Sequence, residues 1–372
     1  MNAPINGNRN MASADVSTKS SELPNGIIVR KESKSLKVFI AFIFDIYPNT
    51  GLNKNIAFIV IFMEQLKNKK ILVTGGAGFI GFHLCKKLLG FAPNLTIYDN
   101  LSSGKLENIK DLPKAKFIKD DILNLKNLCA TEKAEVIFHL AAQVVVPYSM
   151  ENPTEDFETN ARGTLNVLEK ARKDDARVVF ASSAAVYGNP TKFPTPEDYG
   201  FNPFSCYGLS KVVGEQYCKM YMNQYGLDIT ILRFANVYGS RCHGVIHDFL
   251  DKLQKNPLKL EIIGTGLQSR DFVHVSDVVD AIILAAAREN AIGQTFNLGF
   301  GKTTKIIDLA KMILKILNLS DKTVVTTTNV SWQGDIDTIW FDISRAQKEL
   351  QWHPRVRLED NLREIIRERD ML

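Results

Sequence analysis

One stretch of this sequence constrains the fold more than any other, because an apolar run, a glycine-rich turn and a helical pattern follow one another directly over residues 70–89. The apolar run, residues 71–73, is typical of a strand that is buried on both faces of a parallel sheet. Gly75, Gly78 and Gly81 follow it, and the apolar residues after the turn recur at the spacing of one helix face. A helix that begins in this way directs free backbone N–H groups at a phosphate. The stretch therefore predicts a dinucleotide-binding turn in a parallel α/β sheet.

The three glycines are spaced by three and three residues rather than by the two and three of the standard dinucleotide fingerprint. With Thr74 directly before them, they resemble the turn of the short-chain dehydrogenase/reductase superfamily, particularly of its extended branch. Such a turn lets the backbone approach a pyrophosphate and lets the helix pack closely on the strand. A glycine turn with a purely structural role is the alternative interpretation.

The second predicted strand ends at Asp99, about two dozen residues after the turn. A carboxylate at this place accepts hydrogen bonds from the hydroxyl groups of an adenosine ribose. The residues that follow Asp99, beginning with Asn100, include no arginine that would pair with a 2′-phosphate. The sequence therefore favours NAD over its 2′-phosphorylated relative. An aspartate that only shapes the turn is the alternative, because Asp-Asn is common in turns.

Strands and helices alternate through the first part of the body. Further strand-length apolar runs lie at residues 95–98, 116–118, 136–140, 178–181 and 229–233, with helical patterns notably at residues 155–173 and 206–225. This alternation predicts an α/β fold with a doubly wound parallel (Rossmann-type) sheet. The order breaks after Gly239, where we expect a smaller C-terminal α+β lobe. We therefore divide the body into an NAD-binding domain, residues 63–238, and a lobe of residues 239–372 that mainly binds the substrate.

Composition and charge exclude some classes of function. The formal net charge of the 372 residues is +5, and the first 62 residues contribute more than half of it. The body shows no basic stripe, so we expect no nucleic-acid partner. The five cysteines are odd in number and lack metal-ligand spacing, which favours reduced thiols in a cytoplasmic protein and predicts no metal site.

Residues 1–62 look unlike the body. They contain two short apolar runs, residues 38–44 and 56–63, each far below the ~20 residues that span a bilayer. No convincing secretory signal is present, and Met63 would be a natural start before the first strand. We expect residues 1–62 to lie outside the fold, as a disordered tail or an over-extended gene prediction, and we expect no membrane partner. An arm that binds a membrane surface or another protein is the alternative.

Tyr207 and Lys211 stand four residues apart on a predicted helix and therefore on one of its faces. A lysine ammonium beside a phenol lowers the phenol pKa from ~10 toward neutrality, so that the tyrosine can exchange a proton with a sugar hydroxyl. Ser183 follows the fifth strand, where a hydroxyl can share that proton, and Ser182 is the alternative that supports the turn. Asn236 follows the sixth strand and can bond a substrate, although a turn asparagine is the alternative.

These segments occur in the order seen in NAD-dependent nucleotide-sugar epimerases and dehydratases of the extended short-chain dehydrogenase/reductase branch. The resemblance also includes residues 233–239 and 268–275, extends over residues 63–372, and is strongest to the UDP-glucose 4-epimerases. It implies that Arg270 pairs with the diphosphate of a UDP-sugar and that Asp335 bonds the uridine ribose. For Arg270, a structural salt bridge to Asp271 or Asp277 is the alternative.

The resemblance further implies where the cofactor lies. Asp121 and Ile122 would contact the adenine, Ala141 and Ala142 would leave room for the cofactor, and Asn160 would support the active site. The expected NAD contacts are then Gly75, Gly78, Phe79, Ile80, Gly81, Asp99, Asn100, Asp121, Ile122, Ala141, Ala142, Tyr207 and Lys211. The resemblance also implies a homodimer, in which the helices near residues 155–173 and 206–225 pair as a four-helix bundle.

Some positions separate the activities within the family. Similar 4,6-dehydratases carry an Asp-Glu acid/base pair where this chain has Ala184 and Ala185, and neither alanine moves a proton. Similar uronate 4-epimerases tend to carry an arginine where this chain has Pro147 and a threonine where it has Asn236. The resemblance therefore favours a neutral sugar over a uronate. Trp332 stands where similar epimerases often hold phosphate with an arginine, so Arg270 or Arg241 would carry more of that role.

We therefore expect NAD-dependent 4-epimerisation of a UDP-sugar of the UDP-glucose/UDP-galactose type through a transient 4-keto intermediate. The alternatives are a nucleotide-sugar reductase or dehydrogenase, and an epimerase that acts on UDP-N-acetylglucosamine or UDP-glucuronate. Ile339 matches the position that is thought to control access of N-acetyl sugars in similar proteins. Because isoleucine is intermediate in size, it does not decide between UDP-glucose and UDP-N-acetylglucosamine. A nucleotide-sensing protein without catalysis is a further alternative, against which the complete set of Ser183, Tyr207 and Lys211 argues.

Overall fold

The computed structural model describes residues 62–371, together with two short strands, Ser21–Glu22 and Ile28–Val29, that pair antiparallel with each other. The expectation for residues 1–62 therefore falls almost entirely outside the described residues. Phe62 is an exception, because its side chain is buried and lies 5.0 Å from the guanidinium of Arg288. Phe62 therefore packs against the body, and the boundary between residues 62 and 63 stays a prediction.

The strands and helices of the body begin and end as follows. The strands are β1 (Ile71–Thr74), β2 (Leu95–Asp99), β3 (Lys116–Lys119), β4 (Val136–His139), β5 (Arg177–Ser183), β6 (Ile229–Phe234), β7 (Asn236–Tyr238), β8 (Lys259–Ile262), β9 (Ser269–His274), β10 (Thr295–Leu298), β11 (Thr303–Lys305), β12 (Val324–Thr327) and β13 (Thr338–Ile339). The helices are α1 (Phe79–Leu88), α2 (Leu106–Lys110), α3 (Leu125–Ala130), α4 (Val146–Glu151), α5 (Pro153–Phe157), α6 (Gly163–Asp174), α7 (Cys206–Tyr225), α8 (Val245–Lys255), α9 (Val275–Ala287), α10 (Ile306–Ile316) and α11 (Leu358–Arg367).

A seven-stranded sheet forms the centre of the body, with the order β10-β6-β5-β4-β1-β2-β3. Every neighbouring pair in it is parallel. The residues of β1, β4 and β6 are all buried, which explains why these strands read as continuous apolar runs. The predicted α/β class and Rossmann-type sheet are confirmed, and the order reverses between β1 and β4, where such sheets bind their ligands.

One apolar core lies between the sheet and the helices α6 and α7. It contains Val167 and Leu168 from α6, Cys218 from α7, and Phe180 and Ile231 from the sheet. The helix α7 is held at both ends, since Ser205 caps its start and Gly226, with φ +68°, ends it. The packed sheet and caps fix the direction in which the first turns of α7 present their side chains.

The second part of the chain builds a smaller unit around β8, β9 and the helices α8, α10 and α11, with its own apolar core. It also returns to the large sheet, because β10 pairs with β6. This seventh strand was not predicted, since its four residues form a short run amid turns. The division after residue 238 stays a prediction, with the addition that β10 belongs to the large sheet. Among the described residues, no helix combines the length and apolarity needed to cross a membrane.

Candidate functional site

A single cavity of about 960 Å³ runs along the carboxyl ends of the central strands and into the smaller unit. The residues that the sequence predicts for cofactor, catalysis or substrate line it, apart from Arg241, the alternative to Arg270. These are Gly75, Gly78, Phe79, Ile80, Gly81, Asp99, Asn100, Asp121, Ile122, Ala141, Ala142, Ser183, Tyr207, Lys211, Asn236, Arg270 and Asp335. Their roles stay predictions, but the structure brings all of them to one continuous space.

The glycine turn after β1 shows which of its glycines are required by packing. Gly75 has φ +75°, and a Cβ there would lie 2.5 Å from the backbone N of Ala141. A Cβ at Gly81 would lie 2.1 Å from the carbonyl O of Gly75. A Cβ at Gly78 would meet only that same carbonyl, at 3.3 Å. Packing therefore excludes a side chain at Gly75 and Gly81, whereas Gly78 leaves open the space in front of α1, as a pyrophosphate requires.

Asp99 both shapes this turn and faces the cavity. Its Oδ2 accepts a hydrogen bond from the backbone N of Ala77 at 3.0 Å, and its Oδ1 accepts one from the backbone N of Leu101 at 2.8 Å. Burial raises the pKa of Asp99, whereas the two backbone N–H groups lower it. The structural and ligand interpretations of this aspartate are therefore compatible, because an accepting carboxylate retains further lone pairs for ribose hydroxyls.

The ends of β3 and β4 complete the predicted adenine side. Asn100 donates from Nδ2 to Asp121 Oδ2 at 2.7 Å, which joins the loops after β2 and β3. The backbone N of Ala141 donates to Thr74 Oγ1 at 3.4 Å, and Thr74 Oγ1 lies 2.8 Å from His139 Nδ1. Burial lowers the pKa of His139 to about 3, so this imidazole is neutral and serves as a structural link.

Tyr207 and Lys211 lie on the first turns of α7, as predicted. Burial raises the pKa of Tyr207 to about 12, and a hydrogen bond with Ser183 opposes that rise. Lys211 Nζ donates to the carbonyl O of Ala181 at 3.0 Å and lies 5.9 Å from the centre of the Tyr207 ring. The ammonium of Lys211 is directed at a β5 carbonyl and not at the phenolic oxygen, so these contacts do not lower the pKa of Tyr207, and the expected effect of Lys211 on the phenol stays a prediction.

Ser182 and Ser183 have separate environments. Ser182 is buried and donates from Oγ to Glu215 Oε1 at 2.6 Å. Ser183 Oγ accepts a hydrogen bond from the backbone N of Ala185 at 3.2 Å and stays beside Tyr207. The contacts support Ser183 as the hydroxyl that meets the substrate and Ser182 as the residue that supports the turn.

Glu215 links α7 to β6 behind these serines. It receives two hydrogen bonds from Arg233, from Nε at 2.8 Å and from Nη2 at 2.7 Å, and both side chains are buried. Arg233 also donates from Nη1 to Tyr187 OH at 2.6 Å. This ion pair fixes α7 against the sheet, a function that the sequence analysis did not assign to Arg233 or Glu215.

Asn160 lies in a π-helical segment, Glu158–Arg162, between α5 and α6. Its Nδ2 donates to the carbonyl O of Gln143 at 2.9 Å, to Asp156 Oδ1 at 3.0 Å and to Ser210 Oγ at 3.1 Å. These contacts connect the loop after β4 with α7, so they support the expected role of Asn160. Asp156 was not predicted, because an acidic residue in the first turn of a helix is typical of an exposed position.

The far end of the cavity holds Arg270 and Asp335, which bond to each other. Arg270 Nη2 donates to Asp335 Oδ1 at 2.5 Å, and both side chains are largely buried. The predicted alternative, a salt bridge from Arg270 to Asp271 or Asp277, is wrong, since Asp335 is the partner that the structure shows. A ligand diphosphate here would meet a guanidinium that is already oriented by a carboxylate.

The cavity wall near Arg270 also includes Trp332, whose side chain is 41% exposed. Arg241, by contrast, bonds Asn108 and Asp111 and does not line the cavity. These contacts favour Arg270 over Arg241 for the phosphate role, which stays a prediction. Cavity-lining residues to which the sequence analysis gave no role include Phe249, His243 and His247.

Comparisons with known proteins agree with this geometry. The sequence profile of the NAD dependent epimerase/dehydratase family matches residues 71–299. A putative UDP-glucose 4-epimerase of Methanocaldococcus jannaschii is 41% identical over 305 residues, which cover 80% of this chain and 97% of that protein.

Two solved structures are similar to the body. The UDP-glucose 4-epimerase of Thermotoga maritima, solved with UDP-glucose, is 36% identical with a TM-score of 0.75, and the match covers 80% of this chain and 99% of that one. The UDP-N-acetylglucosamine 4-epimerase of Methanobrevibacter ruminantium M1, in complex with UDP-N-acetylmuramic acid, is 33% identical with a TM-score of 0.74, over 81% of this chain and 98% of that one. The chain therefore belongs to the NAD dependent epimerase/dehydratase family.

Proposed function

We propose that this protein is a 4-epimerase of UDP-sugars of the UDP-glucose/UDP-galactose type, with NAD as its cofactor. One observation carries the proposal: Ser183, Tyr207 and Lys211 line the same cavity as the glycine turn on one side and the Arg270–Asp335 pair on the other. A sugar whose nucleotide contacts Arg270 would place its hexose between the catalytic hydroxyls and the cofactor side.

The residues present fit NAD. The open space at Gly78 and the start of α1 suit a pyrophosphate, and the cavity-facing carboxylate of Asp99 suits a ribose without a 2′-phosphate. When bound, NAD supplies a hydride acceptor that returns the same hydride to the sugar.

The residues of the chain would handle the proton and the position of the sugar. Tyr207, as a phenolate, takes the proton of the sugar 4-hydroxyl and later gives it back, and Ser183 shares the hydrogen bond. Lys211, whose ammonium lies 5.9 Å from the centre of the Tyr207 ring, would supply positive charge that favours this ionised state and suits the hydroxyl groups of the nicotinamide ribose. Arg270 and Asp335 hold the nucleotide while the 4-keto sugar turns, so that the hydride returns to its opposite face.

The wall beside the catalytic hydroxyls argues against dehydration. Ala184 and Ala185 line the cavity directly after Ser183 and are both buried. Neither side chain accepts or donates a proton. Elimination of water from the sugar needs such an acid/base group, and these positions do not supply it.

An epimerase of UDP-N-acetylglucosamine is the second candidate, supported by the likeness to the Methanobrevibacter enzyme. Ile339 lines the cavity, and its intermediate size favours neither sugar. The expected cytoplasmic location stays a prediction.

The expected homodimer is also a proposal, supported by Leu209, Met220 and Tyr225, which are partly or largely exposed on α7. Light scattering would show the dimer as twice the mass of one chain.

The test is to incubate the purified protein, without added cofactor, with UDP-glucose, UDP-N-acetylglucosamine or UDP-glucuronate, and to follow the anomeric and C4 protons by NMR. We expect an equilibrium mixture of C4 epimers from UDP-glucose. We expect Tyr207→Phe to lose at least about 100-fold in rate, because it removes the proton acceptor. Tyr199→Phe is the matched control, since Tyr199 does not line the cavity and its hydroxyl group bonds Thr191.

Full activity of Tyr207→Phe would refute the proposed role of the tyrosine. A steady change in nicotinamide absorbance during turnover would instead identify a reductase or dehydrogenase.

A further inference from the structure

Asp156 is a buried carboxylate that the proposed reaction does not use. It lies in α5, and its side chain is 0% exposed. Its Oδ1 accepts hydrogen bonds from Gln143 Nε2 at 3.1 Å and from Asn160 Nδ2 at 3.0 Å. Its Oδ2 is buried without a hydrogen-bond partner among the described residues. A charge held in this way costs free energy unless an opposite charge compensates it.

Lys211 is a buried cation in a similar position. It is 4% exposed, and its ammonium has the carbonyl O of Ala181 at 3.0 Å and the ring of Phe180 at 5.2 Å. Within residues 62–371, neither Lys211 nor Asp156 takes part in a contact ion pair. Two opposite charges that are both removed from water interact strongly even beyond contact distance.

The other ionisable groups near Lys211 are already neutralised or neutral. Glu215, one turn further along α7, is paired through two hydrogen bonds with Arg233. Burial raises the pKa of the Cys218 thiol and lowers the pKa of the His139 imidazole to about 3, so both are uncharged at neutral pH. Asp156 is the carboxylate that hydrogen bonds connect to the start of α7, through Asn160 Nδ2 to Ser210 Oγ, one residue before Lys211.

We propose that Asp156 is a positioning residue, whose buried carboxylate holds Gln143 and Asn160 behind the catalytic helix and acts as the countercharge of Lys211. This inference deepens the proposed function and rests on it for its meaning in the reaction. Through Asn160 the same carboxylate also reaches Ser210, one residue before Lys211 on α7. The orientation of Asn160 and Ser210 and the charge near Lys211 then both depend on Asp156.

The direction of the electrostatic effect follows from the sign of the charge. Burial lowers the pKa of Lys211 to about 8, and Asp156 opposes this by raising it. The same negative charge raises the pKa of Tyr207, which also faces Ser183. For Asp156 itself, burial raises the pKa, whereas Ser210, Lys211 and the two amides lower it. Without Asp156, Lys211 and Tyr207 would each lose their proton at lower pH.

The experiment is an NMR titration of the lysine side-chain signals of the purified holoenzyme, with Lys211 assigned by its absence in Lys211→Met. In Asp156→Asn we expect the titration midpoint of Lys211 to fall by about half a pH unit or more. Glu155→Gln is the matched control, because it removes one negative charge from the neighbouring, exposed position, where the carboxylate bonds Tyr148 OH. The control should leave the midpoint of Lys211 unchanged.

An unchanged midpoint in Asp156→Asn would overturn the inference. If that variant does not fold, the reciprocal measurement decides: the midpoint of Asp156, followed by carboxyl NMR, should rise in Lys211→Met, and an equal midpoint would overturn the inference. Neither titration needs turnover. A protein that shows the shift but epimerises no UDP-sugar would therefore contradict the proposed function and leave the charge pair established.

Discussion

At the scale of single residues, the glycines of the turn differ in whether packing or a ligand explains them. Gly75 and Gly81 leave no room for a Cβ, because backbone atoms occupy the place that it would take. Gly78 has φ −75°, an ordinary value for any residue, and a Cβ there would make one tight contact, at 3.3 Å from the carbonyl O of Gly75. Packing and backbone conformation thus demand a glycine here less strictly than at Gly75 and Gly81, and a phosphate that approaches the turn would explain it.

This difference predicts opposite behaviour of two similar variants. Gly78→Ala should fold with little change in melting temperature but purify with less bound NAD, since its methyl group would stand in the phosphate approach. Gly81→Ala should be destabilised by about 1–3 kcal/mol, as in other overpacked sites. Gly200→Ala, which has open space around it, is the control. Melting temperature and NAD content per chain are the measurements, and a full NAD content in Gly78→Ala would speak against the cofactor role.

At the scale of elements, one buried ion pair holds α7 against the sheet. Glu215 of α7 and Arg233 of β6 are 0% and 3% exposed in their side chains. Removing one partner of such a pair leaves the other charged and buried without compensation. Glu215 also accepts a hydrogen bond from the Ser182 hydroxyl, which connects the end of β5 to the same helix.

Glu215→Gln should therefore lower the free energy of unfolding by about 3–5 kcal/mol. The measurement is urea unfolding at neutral pH. Glu132→Gln breaks an ion pair with Lys116 that is exposed on both sides, and it should show no measurable change. A Glu215→Gln protein as stable as the unmodified one would show that the pair is dispensable.

The elements also show why some features could be predicted and others could not. Strands such as β1 and β4 are buried on both faces, so their sequences are continuous apolar runs that are easily recognised. Strand β10 was missed, because four residues between turns carry little periodicity. The bond between Arg270 and Asp335 was missed for a different reason: 65 residues separate them, and only the paired strands β9 and β13 bring them together.

At the scale of the whole molecule, the cavity joins two parts of the chain that the sequence describes separately. The turn after β1 and the end of β2 supply the cofactor side, whereas Arg270 and Asp335 come from the second part of the chain. The sequence predicted the residues on both sides, but it did not predict the electrostatics between them. The raised pKa of Tyr207 and the charge of Asp156 depend on burial, which a sequence pattern does not specify.

Deuterium at C4 of the sugar gives the most direct test of the proposed 4-epimerisation. UDP-glucose that carries deuterium at C4 is incubated with the purified protein, and the C4 epimer is isolated and examined by mass spectrometry. We expect the epimer to retain the deuterium at C4, because the hydride that leaves the sugar is the one that returns to its opposite face. Deuterium released into water, or no epimer at all, would contradict it.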